Sequence, residues 1–522
     1  MNTSGNLLAE ALLSLDLGGG TRERSTLAGA MARLARGERF EFAALQAHQL
    51  QPWESLLVQV GALATHAHGA IPEGEAAWRD ALLALTGGAL EPWCLVVDDL
   101  TKPAFMQPPV AGEDFTKKGE RERCPDAIDL LVTSKNHDVK QARAAHPTPE
   151  LWAFALVSLQ TMEGFGGAFN YGIARMNGGY GSRPSVGLTS ALPLAARFRR
   201  DLARWNDERT RLAERFGYRA EGGVALTWCA PWDGVKALSL GELDPCFIEV
   251  CRRLRLVREG EEVVLARSTS KSRRIDADTL KGVTGDIWTP VKRGDEPTAF
   301  TAPPTGVGYK VLRDVLLSDD YDPPAALEAR EGDKGEMFAV VRVLARGQGK
   351  TAGLHERVVP VPGKKRGLFA KGDERARAGT LSKRRVEQVG EVQRKVLHPA
   401  LCALLQAAPD KLDLTDDRTQ RWRRAHDERI DPRFFEDLWR DLDVDLTEAD
   451  RRWLNTCIQL AREVFESALD AVPLPSERAY KARVMAQRVF EGSARKNFAL
   501  AFAPDATAAP VSVTPVRPEE TP

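Results

Sequence analysis

The sequence predicts an α+β fold, a mixed α/β N-terminal domain followed by a C-terminal helical bundle of the four-helix type. Three observations carry that expectation. Residues 224 to 362 are a succession of short β-type runs punctuated by Pro and Gly. After Phe369 the apolar residues switch to three- and four-residue spacing, the pattern of helices that bury one stripe. The closing residues are rich in Pro, Ala and Thr and have little to bury. The expected domains are therefore residues 1–370 and 371–498, with a disordered tail over 499–522. A chain of 522 residues that is 43% apolar has material for more than one core.

Taken in order, residues 1 to about 35 hold a weak helix and the glycine turn "LGGG", and only partial order is expected there. Two helical patterns follow between about 42 and 87, the first with Trp53, Leu56, Leu57, Val60 and Leu63 on one face. "EPWCLVVDDL" has the look of a buried strand and runs into the irregular "TKPAFMQPPV". The helix "PELWAFALVSLQTM" leads to a glycine-rich loop, and a long charged helix, "PLAARFRRDLARWNDERTRLAERFG", comes after it. In the C-terminal part five stretches read as helices, with start signals at Thr447 and Ser476. The longest draws a stripe of Trp453, Leu454, Cys457, Ile458, Ala461, Phe465, Ala468 and Leu469.

Composition excludes several function classes. Lys plus Arg (73) balance Asp plus Glu (73), so any hold on a polyanion must come from local patches. The seven cysteines include no C-x-x-C pair, which argues against a zinc knuckle or redox dithiol and for a reducing cytosol. No secretory leader or apolar stretch of membrane-spanning length is visible, so a cytoplasmic protein is expected. "RVLARGQGKTAGLHERVV" ends its glycine run like a phosphate loop, but Leu344 stands where the first glycine is needed and no helix follows. The stretch reads as a β-hairpin with Gly347, Gly349 and Gly353 around its tip.

Two HD dipeptides, His137-Asp138 and His426-Asp427, raise a metal-dependent nuclease. Supporting ligands are not apparent, and His426, beside Arg423 and Arg424 in a charged helix, is expected to face solvent. "MEGFGGAFNYGIARMNGGYGSR", residues 162–183, interleaves glycines with Phe165, Phe169, Tyr171, Tyr180, Arg175 and Arg183, a mixture that suits nucleic-acid contact. Basic clusters at 252–274 and 364–385 point the same way.

The order "KPAFMQPPV", "VTSKNHDVK", "GFGGAFNYGIARMNGG", "RGQGKTAGLHER" and a terminal helical bundle resembles the CasA family, the large subunit of the type I-E CRISPR surveillance complex Cascade. The resemblance spans roughly residues 90–498 and is weak between about 190 and 330. It implies a subunit that is not an enzyme; no cofactor is expected, and with only Cys246 and Cys251 in place of the cysteine cluster of some relatives, no structural zinc. Its partners would be CRISPR RNA, target double-stranded DNA, other Cascade subunits and a recruited helicase-nuclease, with no membrane. Such a subunit would read the protospacer-adjacent motif (PAM) and help open the duplex into an R-loop in antiviral defence.

On matching positions, Gly164, Phe165, Gly166 and Gly167 would form a glycine loop entering the minor groove. Gln348, Gly349, Lys350 and Thr351 would form a wedge, and Lys135, Asn136 and His137 would meet the guide's 5′ handle. A lysine finger falls on Lys281, with Lys271 and Arg273 as rivals. The chain lacks the Trp-Ile-Pro strand with which relatives often begin, which puts the N-terminal sheet in doubt. Cys246 and Cys251 alone stand where some relatives carry a cysteine cluster, and Lys350 replaces a polar amide. A nuclease using the HD dipeptides and a plain helical scaffold remain the alternatives.

Overall fold

The computed structural model describes residues 3–110, 115, 121–128, 130, 147–178, 183–347, 350–369 and 373–503. The fold is α+β. The chain divides into two compact units, one of Met1–Val307 with Asp314–Ala370, the other of Gly308–Arg313 with Lys371–Pro522. Among the described residues no helix is long and apolar enough to cross a membrane.

In the first unit short strands build several small sheets in place of one large one. β1 (Thr3–Asn6) pairs antiparallel with β5 (Cys94–Val97), while β2 (Leu13–Asp16) lies between β3 (Arg22–Ser25) and β4 (Glu41–Phe42). β6 (Arg121–Glu122) borders the hairpin formed by β10 (Arg253–Glu259) and β11 (Glu262–Ser268). β7 (Ser185–Thr189) is the third strand on the long hairpin of β15 (Met337–Gly347) and β16 (Lys350–Val361). β8 (Val224–Leu226) and β9 (Leu243–Ile248) pair in parallel, and β12 (Val291–Lys292) joins β13 (Thr298–Ala299) to β14 (Tyr321–Asp322).

Contrary to the expectation of partial order, residues 3–36 form β1, β2, β3 and a helix, and Leu7, Leu8, Leu13, Leu15, Leu27 and Leu34 join the core. Leu13 and Leu15 are fully buried, with Ser14 and Asp16 between and after them less so, which is the period of a strand. The apolar run had suggested a helix because its leucines are dense, but over four residues spacing of two outranks density. Gly18, Gly19 and Gly20 all take positive φ and close the β2–β3 turn. The Thr26 hydroxyl accepts from the Gly29 N–H at 2.9 Å and starts α1 (Leu27–Arg36). The missing Trp-Ile-Pro strand therefore did not cost the domain its N-terminal sheet.

α2 (Leu50–His68) buries the expected face, and Trp53 meets Phe154 edge-on at 4.7 Å and Phe42 at 5.6 Å. Phe154 belongs to α4 (Pro149–Met162), whose bounds match the sequence pattern; α3 (Gly74–Ala84) precedes it. α5 (Leu194–Phe216) ends at Gly217 in the left-handed conformation. The unit boundary cuts α6 (Tyr309–Leu317).

The second unit is helical. α7 (Asp373–Val392) passes through a wide π turn, Gln393–Leu397, into α8 (His398–Leu405). Pro399 follows that turn and supplies no N–H, so the ladder there is reset by the His398 N–H bonding Gln393. α9 (Gln420–Ile430), α10 (Phe434–Asp441), α11 (Leu446–Ala471) and α12 (Ser476–Asn497) complete it. Asp445, not Thr447, caps α11, its carboxylate accepting from the Thr447 N–H at 2.9 Å. Trp453 stands at the centre, edge-on to Phe434 at 5.7 Å and under the Arg385 guanidinium, which pairs with Asp441 at 2.6 Å in full burial.

Candidate nucleic-acid interface

The glycine-rich stretch is a closed loop held at its neck. The Ile173 N–H bonds the Glu163 carbonyl at 3.0 Å, the Gly166 N–H bonds Asn170 at 2.8 Å, and the Asn170 N–H bonds Gly167 at 3.0 Å. At the neck, a Cβ on Gly172 would sit 2.6 Å from the Gly164 carbonyl carbon, so the two sides of the loop meet closely only because residue 172 is glycine. Arg252 ties the neck to β10 by donating to the carbonyls of Gly164, at 2.7 Å, and of Tyr171. Gly164 is therefore buried, Phe165 is half-buried at 6.1 Å from the Tyr171 ring, and the exposed tip is Gly166, Ala168 and Phe169 with Gly167 between them.

Phe169 is the unusual member. Its ring is 53% exposed and its φ is +70°, a backbone that side chains other than Gly, Asn and Asp rarely take. Its carbonyl accepts from the Ser270 N–H at 3.1 Å, which fixes the strained residue against the β11 end. The sequence marked Phe169 as one aromatic among several; nothing in sequence could reveal the backbone angle.

Below the loop lies a buried ionic cluster. The Ala174 N–H donates to Glu249 at 2.7 Å; Arg175 stands 3.7 Å from Glu249 and 3.9 Å from Asp286, and Arg183 pairs with Asp286 at 2.5 Å. Arg175 also lies over the Phe247 ring at 3.7 Å. Burial pushes the Glu249 carboxyl up, opposed by Arg175. These contacts correct the sequence reading of Arg175 and Arg183 as DNA-facing: both are sealed inside and prop the loop from below.

The support continues upstream. The Gln160 side chain donates to the carbonyls of Met106 and Arg252 at 2.8 and 3.0 Å and accepts from the N–H groups of Cys251 and Arg252 at 2.9 and 2.8 Å. Gln107 in turn bonds the carbonyls of Leu95 and Phe105 and the N–H of Leu256. The Phe-Met-Gln turn thus sets the height of β10 and of Arg252. Gln160 was not singled out from sequence, although a lone amide in "WAFALVSLQTM", where the other polar groups are the small hydroxyls of Ser158 and Thr161, is the signal that could have marked it.

The β15–β16 hairpin reaches the same side of the unit. Pairing with β7 stops at Arg342, and the two strands continue alone to the Gly347–Lys350 pair, with Ala352 as an extra bulged residue opposite Ala345 and Arg346. Arg342 is clamped between Glu54 and Glu356 at 2.8 and 2.7 Å. Near the end, Arg346 pairs with Glu163 at 2.7 Å, joining the hairpin to the neck of the glycine loop. The Thr351 hydroxyl donates to the Leu130 carbonyl at 2.8 Å. Gln348 and Gly349 lie outside the described residues, as do Lys135, Asn136 and His137; of Lys350 the backbone pairing alone is described.

The three candidate finger residues differ in surroundings. Lys281 ends a short turn at φ +48° and is ion-paired with Glu296, and Arg273 pairs with Asp278 at 2.7 Å. Lys271 is exposed and directly follows Ser270, the residue bonded to Phe169. The basic clusters are internal in part: Arg253, Arg255, Arg274, Lys365 and Arg385 are buried, several of them donating to main-chain carbonyls, while Arg258, Arg267, Lys271, Lys364, Arg377, Lys383 and Arg384 are exposed.

His426 also departs from expectation. It is fully buried, its Nε2 donating to the Cys457 carbonyl at 3.0 Å and its Nδ1 meeting the Gln393 amide at 3.2 Å; burial lowers its pKa. Both nitrogens are committed, so this HD dipeptide offers no ligand. Asp427 accepts from Tyr309 and Lys310 at 2.8 and 2.9 Å. His137-Asp138 lies outside the described residues, and among those described no cluster of three or more His, Cys, Asp or Glu could hold a metal.

Comparison with solved structures settles the architecture. The CasA (Cse1) structure from Thermus thermophilus superposes with a TM-score of 0.61 at 15% identity, over 95% of this chain and 100% of that one. The chain has the CasA fold. Cse1 from Thermobifida fusca gives 0.62 at 14% identity over 96% and 99%, and the CRISPR-associated protein Cse1 from Acidimicrobium ferrooxidans gives 0.60 at 15% over 95% and 98%. No family model and no curated protein matches the sequence. The CasA fold extends through both units, including the stretch between about 190 and 330 where sequence resemblance was weak.

Proposed function

We propose that the chain is the non-catalytic large subunit of a Cascade-type RNA-guided complex, reading the PAM on double-stranded DNA and helping to part the strands. The observation that carries this reading is the joining of the two candidate DNA-contacting elements on one face: Glu163 receives Arg346 of the hairpin, and the next residue, Gly164, receives Arg252. A groove reader and a strand separator must keep a fixed spacing, since the wedge acts on the base pair next to the one being read. The ion pair supplies that fixed spacing.

Main chain at Gly166 and Gly167 and the Phe169 ring would enter the minor groove, with Lys271 alongside in preference to the ion-paired Lys281. The minor groove separates A·T from G·C only coarsely, so such a reader tolerates several PAM sequences. Opening costs roughly 1–2 kcal/mol per base step and guide pairing replaces it, so no ATP is needed. CRISPR RNA would approach near Leu130 and the 135–137 segment. The other Cascade subunits and a helicase-nuclease would dock elsewhere on the surface.

The test is assembly of the chain with guide RNA and its neighbouring operon proteins, followed by binding to targets that differ in the PAM alone. Gly166→Trp and Lys271→Ala should each weaken PAM-dependent binding at least tenfold and leave guide-RNA assembly intact. Lys281→Ala should do little. Unaltered PAM preference in the Gly166 and Lys271 variants refutes the reading.

A further inference from the structure

α12 of the second unit carries a surface that the PAM-reading face does not explain. Its inner side is the narrow stripe Ala482, Ala486, Phe490 and Ala494, with Phe490 stacked on Phe465 at 5.0 Å. Its outer side bears Arg478, Lys481, Arg488 and Arg495, all exposed, together with Tyr480, which at 82% is the most exposed large ring described. Among the described residues no carboxylate lies within ion-pair distance of those four cations; the ion pair that α12 makes is through Glu491, to Arg462. Glu491 also acts on Arg495, and Glu477 is exposed one turn before Lys481, so the cations of α12 outnumber its carboxylates in a chain of zero formal net charge.

Lys481, Arg488 and Arg495 recur every seven residues, which lines them up along one side of the helix about 10 Å apart. We infer that this face binds a single-stranded nucleic acid. A row of evenly spaced cations follows a phosphate backbone, and an exposed ring beside it offers a stacking surface that a single strand can use and a duplex, whose base faces are covered, cannot. A lipid surface is disfavoured, because apart from Tyr480 the exposed face lacks the large apolar side chains that enter a bilayer. The inference uses residues distinct from the glycine loop and hairpin and does not depend on their role.

Full-length chain is titrated into fluorescein-labelled dT20 and followed by anisotropy between 50 and 300 mM NaCl. Each phosphate contact contributes roughly 0.7 to the salt slope for a single strand, so Lys481→Ala with Arg488→Ala and Arg495→Ala should lower the slope by about 2 and the affinity at 0.1 M salt roughly 100-fold. Tyr480→Ala should lose roughly 5- to 150-fold, while Tyr480→Phe binds like the parent. Arg488→Lys with Arg495→Lys, which keeps the charges, should retain binding within about threefold and exclude misfolding as the cause. Equal affinity of the triple alanine variant and the parent overturns the inference, as does a duplex of the same length binding as tightly as dT20. Loss of binding in Gly166→Trp would move the strand to the loop and likewise overturn it.

Discussion

Phe169 offers the sharpest test, because its Ala and Gly variants separate backbone strain from the contact of the ring. A left-handed backbone costs a non-glycine residue roughly 1–2 kcal/mol, and φ at Phe169 is +70°. Replacement by Ala or by Gly removes the same ring, which is 53% exposed and so contributes about 1 kcal/mol of burial in either case. Ala keeps the strain and Gly relieves it, less roughly 0.5–1 kcal/mol for the greater freedom of glycine in the open state. Phe169→Gly should therefore hold the loop about 0.5–1 kcal/mol more firmly than Phe169→Ala. Hydrogen exchange at the Asn170 and Ser270 amides, which are bonded to Gly167 and Phe169, reads this as a two- to fivefold slower local opening in the Gly variant. In the assembled complex both variants should lose PAM-dependent binding by roughly 5- to 150-fold, the range for one stacked ring. Equal exchange in Ala and Gly would show that no strain is held; unchanged binding in both would show that the ring does not meet DNA.

Further outcomes follow from the props beneath the site. Gln160→Leu strands two main-chain N–H groups and two carbonyls and should destabilise the first unit by about 3 kcal/mol or more, measured by chemical denaturation. A double-mutant cycle on Glu163→Gln and Arg346→Gln should return a coupling of about 1–2 kcal/mol, since both side chains are under one-fifth exposed; a value near zero would uncouple hairpin from loop. Burial pushes the Asp201 carboxyl, which accepts from the Trp288 indole at 2.7 Å, up to about 6. The folded state then holds that proton more tightly than the unfolded chain, so stability falls as pH rises from about 4 to about 6 and stays lower above. Asp201→Asn, which can still accept from the indole, should stabilise at pH 7 by on the order of 2 kcal/mol and by progressively less toward pH 4.

How much of this was legible in sequence depended on whether the signal was periodic or spatial. α2, α4, α5 and the stripe on α11 were visible because their apolar spacing is the cause of their burial. The hairpin could be separated from a phosphate loop on the same grounds, a β-branched run in place of a helix after the glycines. The N-terminal strands were misread because four residues give period two little weight against a run of leucines. Charge was the least legible property. Density along the chain picked out 252–274, yet Arg253, Arg255 and Arg274 turn inward, while the row on α12 passed unnoticed because Lys481, Arg488 and Arg495 are seven residues apart. His426 looked solvated among arginines, but its partners, Gln393 and Cys457, come from segments about thirty residues away on either side.

The inward arginines carry a practical consequence for anyone altering this molecule. Arg200, Arg252, Arg255 and Arg274 each brace two or more main-chain oxygens from distant segments with one planar head. An ammonium group, a single point on a longer tether, cannot span those oxygens at once. Wholesale exchange of Arg for Lys, a common route to better solubility, would therefore leave the isoelectric point nearly untouched while loosening the girders on which the loop stands. Resurfacing should be confined to exposed arginines outside these braces, such as Arg39.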